Sequence, residues 1–293
     1  MDIVITYVNG QDRQWLESYS KYTNIPVMTK RFRDWGMLPY LFRGIADNMS
    51  FVRNVYLVVA SDSQIPLWIN RNEVKVVLHD EIIPKEFLPT FNSNSIEMYL
   101  HRIEGLSENY LYFNDDMFPV LPCSENDFFR DGKSVIRYTT HLLVGGNMYK
   151  QICKNSDHLV REKLGLSSRA SFIRPQHICS PMKRSRCEEF YSLAEKEIRD
   201  SITITRTSKN YTQYIYLDYL YYKGLAINEK LSNKHISVAL VSPKKVSSYI
   251  QKPSRKLVCI NDVHLGEEHF LKMRSAILDA FEKRFPKKSK YEL

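Results

Sequence analysis

The chain has 293 residues, of which 43% are hydrophobic and 26% are charged, as is ordinary for a globular protein with a substantial core. Its formal net charge of +9 favours anionic partners, namely phosphorylated metabolites, nucleic acid or an acidic membrane face. No apolar run approaches the roughly 20 residues that span a bilayer. The start "MDIVITYV" lacks the basic region of a signal peptide, and the five cysteines form no C-x-x-C pair. We therefore expect a cytoplasmic protein with free thiols.

Strands and helices alternate in the first part of the chain. Apolar β-prone runs predict strands, and apolar positions three or four residues apart predict helices. The predicted strands are 2–8, 52–60, 73–79 and 109–115, and the predicted helices are 37–49 and 93–103. This order predicts an α/β fold with a mostly parallel sheet and helices on both faces. Ligands bind at the carboxyl ends of such strands, where Asn9-Gly10 and Asn114-Asp115-Asp116 lie, so we expect these segments to share a site.

Beyond residue 120 the pattern becomes more helical. The sequence predicts helices at 180–198, at 211–224 and, with a strong apolar stripe, at 267–285. The segment 228–256 is polar and basic and shows no clear periodicity. We therefore expect the C-terminal part to be mainly helical.

Two acidic motifs follow predicted strands. In "YLYFNDDMF", Asp115 and Asp116 stand side by side, and paired carboxylates suit Mg²⁺ bound to a substrate phosphate. In "CINDVHL", Asp262 again follows an apolar run and would add a carboxylate if the two segments converge. Solvated turns after strands, where Asn and Asp are common, are the alternative for both motifs.

Cationic residues and histidines supply further candidates. In "RFRDWG", Arg31 and Arg33 are two positions apart, with Asp34 directly after Arg33, and guanidinium groups clamp phosphates. His177 lies in "RPQHIC", and an imidazole titrates in the range that suits a general base. A surface charge cluster and a structural histidine are the respective alternatives. Weaker candidates are His101, Arg102 and Arg206.

Taken together, these segments resemble the Stealth family. The segment "DIVITYVNGQD" resembles its first signature, and the block from "RFRDWGMLPYLF" to "ENYLYFNDDMF" resembles its second. "RPQHICSPMKRSRCEEF" and "KLVCINDVH" with "FEKRFPKKSKYE" resemble the third and fourth. The resemblance spans nearly the whole chain in order. It implies a single catalytic domain over 1–293, with a nucleotide-sugar-binding core (1–122), an acceptor-side portion (123–260) and a closing segment (261–293).

The family includes bacterial capsular and cell-wall polysaccharide phosphotransferases. The resemblance therefore implies a Rossmann-like sheet of the GT-A type and transfer of sugar-1-phosphate from a UDP-sugar to a glycan hydroxyl, with release of UMP. It implies Mg²⁺ or Mn²⁺ held by Asp115, Asp116 and Asp262, and His177 as the base. Arg206 would bind phosphate, and Asn114 would orient the acids or contact the donor. The remaining candidates would contact the uridine (Asn9, Gly10, Asp12) or the sugar phosphate (Arg31, Arg33, Asp34, Ser93, Asn94, His101, Arg102).

Two other functions remain open. A metal-dependent glycosyltransferase would use the same UDP-sugar but release UDP. A nucleic-acid-binding module would explain the positive charge, but the basic residues are dispersed and no RNP, helix-turn-helix or zinc motif appears. The positive charge also suits a lipid-diphosphate-linked acceptor, since the basic segment 244–256 could contact anionic lipid at the inner membrane face. After His177, the residues Ile178-Cys179-Ser180 depart from the family pattern, which leaves the acceptor contacts open.

Overall fold

A computed structural model describes residues 1–27, 32–262 and 265–293. The strands are β1 (Asp2–Thr6), β2 (Asn54–Val59), β3 (Val74–Leu78), β4 (Asn109–Asn114), β5 (Met117–Pro119), β6 (Phe129–Arg130), β7 (Lys133–Val135), β8 (Tyr138–Leu142), β9 (Ser171–Pro175), β10 (Ser180–Lys183), β11 (Ala226–Ile227), β12 (Asn233–Ser237) and β13 (Leu257–Asn261). The helices are α1 (Arg13–Tyr22), α2 (Leu38–Asn48), α3 (His79–Ile82), α4 (Ser93–Glu97), α5 (Met148–Lys163), α6 (Arg184–Leu193), α7 (Glu195–Ser201), α8 (Tyr214–Tyr222), α9 (Pro243–Gln251) and α10 (Glu267–Arg284).

The central sheet has five strands in the order β10-β4-β1-β2-β3. Strands β1 to β4 are parallel, and β10 joins the β4 edge in the antiparallel sense. This confirms the predicted α/β fold with a mostly parallel sheet. The four parallel strands lie within the runs predicted from their apolar residues.

Alternating side chains of the sheet fill two separate cores. Along β1, Ile3 and Ile5 enter one core and Val4 enters the other. Along β4, Phe113 belongs to the first core and Tyr112 to the second. Helices α2, α9 and α10 cover the first core, whereas α4, α6 and α8 cover the second. The sheet is therefore buried on both faces, as expected for parallel strands.

A second sheet of three strands, β12-β13-β5, adjoins the end of β4. Strand β13 is antiparallel to β5 and parallel to β12. Only Asp115 and Asp116 separate β4 from β5. The acidic pair is therefore the turn by which the chain passes from the central sheet to the second one.

Three regions differ from the sequence-based expectations. Residues 180–198 were predicted to be a helix, but Ser180–Lys183 form β10, because the free edge of β4 takes them as a partner and an edge strand tolerates Pro181. The predicted helix 93–103 divides into α4 and a 3₁₀ turn at Leu100–Arg102. The segment 228–256 contains β12 and α9, and only Val246 and Ile250 of α9 are buried, too few to give a clear periodicity.

Helices are abundant in the C-terminal part, as predicted, although short strands lie between them. None of the helices in the described part of the chain combines the length and the apolar composition needed to cross a bilayer. The five cysteines are free thiols. The division of the chain at residues 122 and 260 stays a prediction.

Candidate active site

A cavity of about 340 Å³ opens at the carboxyl edge of the central sheet, where residues that follow each of the four parallel strands reach its wall. This is the position expected for a ligand in such a sheet. Nine of the predicted site residues line it: Arg33, Asp34, Ser93, Asn114, Asp115, Asp116, His177, Arg206 and Asp262. The structure therefore brings together residues from both ends and the middle of the chain.

Asn9, Gly10 and Asp12, in the loop after β1, shape the edge of the site without lining the cavity. The Asn9 carboxamide accepts a hydrogen bond from the Gln11 amide (3.0 Å). Asp12 caps α1 by accepting from the Trp15 amide (2.7 Å). A Cβ atom at Gly10 would overlap the carbonyl oxygen of Phe32. These contacts show that Asn9, Gly10 and Asp12, the three residues predicted to lie on the uridine side, stabilise the loop after β1.

Three other predicted residues lie outside the cavity, and Arg31 lies outside the described residues. His101 is buried between Tyr191 and Tyr216. Burial and the nearby Arg102 lower the pKa of His101 to about 3, so its ring is neutral although Glu188 lies 3.0 Å away. The Arg102 guanidinium stacks over Tyr191, 4.5 Å from the ring centroid. His101 therefore packs within the second core, whereas the exposed Arg102 lies over the Tyr191 ring at the edge of that core.

Asn94 follows Ser93 into α4 and is buried. Within the described residues its Nδ2 atom finds no hydrogen-bond acceptor, and the residue does not line the cavity. Of this pair, only Ser93 therefore lines the cavity.

The two acidic segments converge. The amide of Ile260 donates a hydrogen bond to the carbonyl oxygen of Asp116 (2.8 Å). This bond lies beside the β5–β13 pair and places Asp262, one residue beyond β13, at the same cavity as Asp115. Arg33 approaches from the other side, with Nε 3.7 Å from Asp262 Oδ2. The carboxylates of Asp115, Asp116 and Asp262, with Arg33 beside them, form one corner of the cavity, which we call the acidic corner.

Among the described residues, three carboxylates of this corner lie close to the guanidinium of Arg33. Enclosure by the cavity walls and repulsion from Asp116 raise the pKa of Asp115 to about 7, although Asp115 itself is exposed to solvent. Asp34 and Asp262 act in the same direction. Burial also raises the pKa of Asp116, and the nearby His177 opposes that shift. Without a cation, the corner therefore retains protons to relieve its repulsion.

His177 reaches the acidic corner because of the register of β10. Ser180 pairs with Tyr112, and the antiparallel chain before Ser180 runs toward the end of β4. Nδ1 of His177 lies 3.3 Å from the Tyr214 hydroxyl, which lies 2.9 Å from the Tyr149 hydroxyl. This row of hydrogen-bonding groups holds Nδ1, whereas Nε2 has no hydrogen-bond partner among the described residues.

Arg206 is oriented by α4. Its Nη2 atom donates a hydrogen bond to Ser93 Oγ. The segment after Arg206 is tied to the same helix, because buried Glu97 accepts from the Thr212 hydroxyl (2.9 Å) and the Gln213 amide (3.1 Å). Arg33 is held differently: its guanidinium stacks 4.2 Å from the Phe270 ring centroid. Both cations can therefore meet an anionic ligand with little further ordering.

Sequence reasoning missed several residues of the site. Tyr214 lies in the predicted helix 211–224, and no motif marked either Tyr214 or Tyr149 as a site residue. Cys259 is fully buried beneath the site, with Sγ 3.5 Å from Asp116 Oδ2. His235 is the register partner of Cys259, and its ring centroid lies 6.1 Å from that of His177. The signal for Cys259 was its position two residues before Asn261-Asp262.

Comparisons with known proteins agree on a family. The family model described as "Stealth protein CR2, conserved region 2" matches residues 31–136. A capsular polysaccharide phosphotransferase of Haemophilus influenzae is 31% identical over 92% of this chain and 80% of the relative. An exopolysaccharide phosphotransferase of Lactiplantibacillus plantarum is 28% identical over 100% of this chain and 96% of the relative. A capsular polysaccharide phosphotransferase of Streptococcus thermophilus is 38% identical over 53% of this chain and 68% of the relative.

Among solved structures, similarity is found to two glycosyltransferases. GlyE of Streptococcus pneumoniae gives a TM-score of 0.44 at 10% identity, covering 100% of this chain and 64% of that one. The galactosyltransferase LgtC, in complex with donor and acceptor sugar analogues, gives 0.42 at 9% identity, covering 94% and 96%.

The long alignment with the Haemophilus influenzae relative and the match to the conserved region decide the assignment. The chain belongs to the Stealth family.

Proposed function

We propose that this phosphotransferase moves an intact hexose- or N-acetylhexosamine-1-phosphate from a UDP-sugar to a hydroxyl of a glycan acceptor, in capsular or other cell-surface polysaccharide synthesis. The observation that carries the proposal is the meeting of Asp115, Asp116, Asp262 and His177 at one cavity. Three carboxylates suit a cation bound to a diphosphate, and an imidazole beside them suits removal of a hydroxyl proton. The names of the relatives support the same class of reaction.

The acidic corner fits a hard divalent cation such as Mg²⁺ or Mn²⁺. Its donors are carboxylate oxygens, which these ions prefer. Asp116 Oδ1 is buried and, within the described residues, accepts no hydrogen bond, so a lone pair is left for a ligand. When bound, the cation would stabilise negative charge on the phosphoryl oxygens. Asp116, with Asp115 and Asp262, would hold it.

His177 would act as the general base on the acceptor. With Nδ1 held by Tyr214, Nε2 would take the proton of the acceptor hydroxyl. The oxygen would then form a bond to the phosphorus that bears the sugar, and the bond from that phosphorus to the UMP oxygen would break. The products are a phosphodiester and UMP, so atoms and charge balance.

Arg33 and Arg206 would bind the anionic phosphates. Both line the cavity, and each is already oriented, Arg33 by Phe270 and Arg206 by Ser93. Oriented donors stabilise the charge that develops on phosphoryl oxygens without reorganising during the reaction. Asn114, at the end of β4, would orient the acids or contact the donor.

Product analysis tests the proposal directly. The protein is incubated with a panel of UDP-sugars, Mg²⁺ or Mn²⁺ and candidate glycans, and the nucleotide products are separated by chromatography. We expect UMP, together with a glycan whose mass has grown by a sugar phosphate. Release of UDP with a glycan that gains only a sugar would show glycosyl transfer and overturn the proposal.

Asp116→Asn and His177→Ala should separate the two roles. We expect each to lower transfer by at least about 100-fold, the lower range of general-base catalysis, and to leave the melting temperature near or above that of the wild type. Asp116→Asn should also weaken metal-dependent UDP-sugar binding measured by calorimetry, whereas His177→Ala should not.

Matched controls are Asp200→Asn and His158→Ala, which change exposed side chains outside the cavity. Both should keep wild-type transfer. Loss of the cooperative melting transition in Asp116→Asn or His177→Ala would instead assign that residue to folding.

The raised pKa of Asp115 predicts a pH-dependent stability in the absence of metal. The folded protein keeps a proton on Asp115 up to about pH 7, whereas the unfolded chain loses it near pH 4. The free energy of unfolding should therefore fall as the pH rises between these values. Asp115→Asn should flatten this part of the profile, measured as melting temperature with EDTA present. Parallel wild-type and variant profiles would contradict the proposed crowding.

Membrane contact through the segment 244–256 stays part of the proposal. Lys244, Lys245, Lys252 and Arg255 are exposed, whereas Lys256 binds Asp127 (2.6 Å). Each exposed cation near an anionic surface contributes about 1 kcal/mol. The protein should therefore float with vesicles that contain anionic lipid, and replacing these four residues by Ser should abolish flotation. Equal recovery with neutral vesicles would count against the contact.

A further inference from the structure

Asp116, His177 and Cys259 form a compact cluster under the cavity. One ligand atom from each lies within 4.8 Å of the other two, and Cys259 Sγ is 3.5 Å from Asp116 Oδ2. They come from three separate elements: the β4–β5 turn, the loop before β10, and β13. We refer to these three residues as the Cys-His-Asp cluster.

The donor set of the Cys-His-Asp cluster differs from that of the acidic corner. The corner offers only carboxylate oxygens, which suit Mg²⁺. The cluster offers one thiol, one imidazole and one carboxylate, which is the donor chemistry of Zn²⁺ and Co²⁺. His235 adds a second imidazole nearby, opposite Cys259 in the β12–β13 register.

We propose that the Cys-His-Asp cluster is a binding site for a thiophilic divalent cation, Zn²⁺ being the model case, and that binding of this cation inhibits the enzyme. On binding, the Cys259 thiol releases its proton to solvent and forms a bond from sulfur to the metal. The binding depends only on the three residues. The inhibition rests on the proposed function, in which Asp116 holds the catalytic cation and His177 takes the acceptor proton.

The inhibition follows from the shared residues. Zn²⁺ on Asp116 removes a carboxylate from the acidic corner, so the affinity for Mg²⁺ falls. Zn²⁺ on His177 occupies the nitrogen lone pair that a base needs. Both effects act together, and Mg²⁺ opposes them only by competing for Asp116, because Mg²⁺ has little affinity for thiolate and imidazole.

Cobalt binding tests the site without any assay of transfer. Co²⁺ is titrated into the reduced protein, and the thiolate-to-cobalt charge-transfer absorption is recorded in the near ultraviolet. We expect a saturable band in the wild type that Zn²⁺ bleaches and Mg²⁺ does not. The band should be absent in Cys259→Ser and weakened at least about tenfold in affinity in His177→Ala.

The control is Cys123→Ser, which removes a half-buried thiol of a different loop. This variant should keep the band. Circular dichroism of every variant, and Cys259→Ala as a second replacement, separate loss of the ligand from loss of the fold. A wild type without the band, or a band that persists in a folded Cys259→Ser or Cys259→Ala variant, would overturn the site.

Inhibition is then measured as transfer at saturating Mg²⁺ with and without Zn²⁺, relative to each variant's own rate without Zn²⁺. We expect inhibition of the wild type and at least about tenfold lower sensitivity in Cys259→Ser. If the cobalt band depends on Cys259 but no donor yields UMP, the proposed function fails and the site stands. If UMP forms and Zn²⁺ has no effect on the wild-type rate, the inhibitory role fails and the proposed function stands.

Discussion

Repulsion among carboxylates at one edge of the sheet is the constraint on which the site depends. Asp115 and Asp116 are adjacent in a turn, and Asp262 is brought to the same corner by the bond from Ile260 to Asp116. Among the described residues, Arg33 lies 3.7 Å from Asp262 and offsets part of this charge. Burial, together with this repulsion, raises the pKa of Asp115. A fold that holds carboxylates in this way favours binding of a cation, because binding relieves the repulsion that remains after folding.

The fold holds this corner by making it a junction between two sheets. The turn 115–116 leaves the central sheet and enters β5, and β13 pairs with β5 before it ends next to Asp262. Neither sheet can shift without moving the carboxylates. The core under the junction contains Phe113, Met117 and Ile260, all nearly inaccessible to solvent. Close packing resists small movements, so the two sheets hold the carboxylates in place despite their repulsion.

The central sheet could be predicted from the sequence because its strands are apolar runs that end in polar residues, as at Phe113-Asn114. The convergence of Asp116 with Asp262 could not, since the β5–β13 pair links distant segments and β5 is only three residues long. Strand β10 was hidden for a related reason. Residues 180–183 pair with β4, so a tertiary contact overrides the predicted helix at these positions. The helix begins at Arg184.

The same strand explains how the proposed base, His177, and the acids come together. His177 stands three residues before β10, and the antiparallel register directs that loop past the end of β4. The imidazole therefore reaches Asp116 by sheet pairing, whereas Tyr214 fixes its Nδ1 from the first turn of α8. The proposed donor side of the cavity is thus built on parallel strand ends and the proposed acceptor side on one antiparallel edge strand. A change in the β4–β10 register would leave the carboxylates in place and displace His177, so this edge is where the proposed cation binding and proton removal would be coupled.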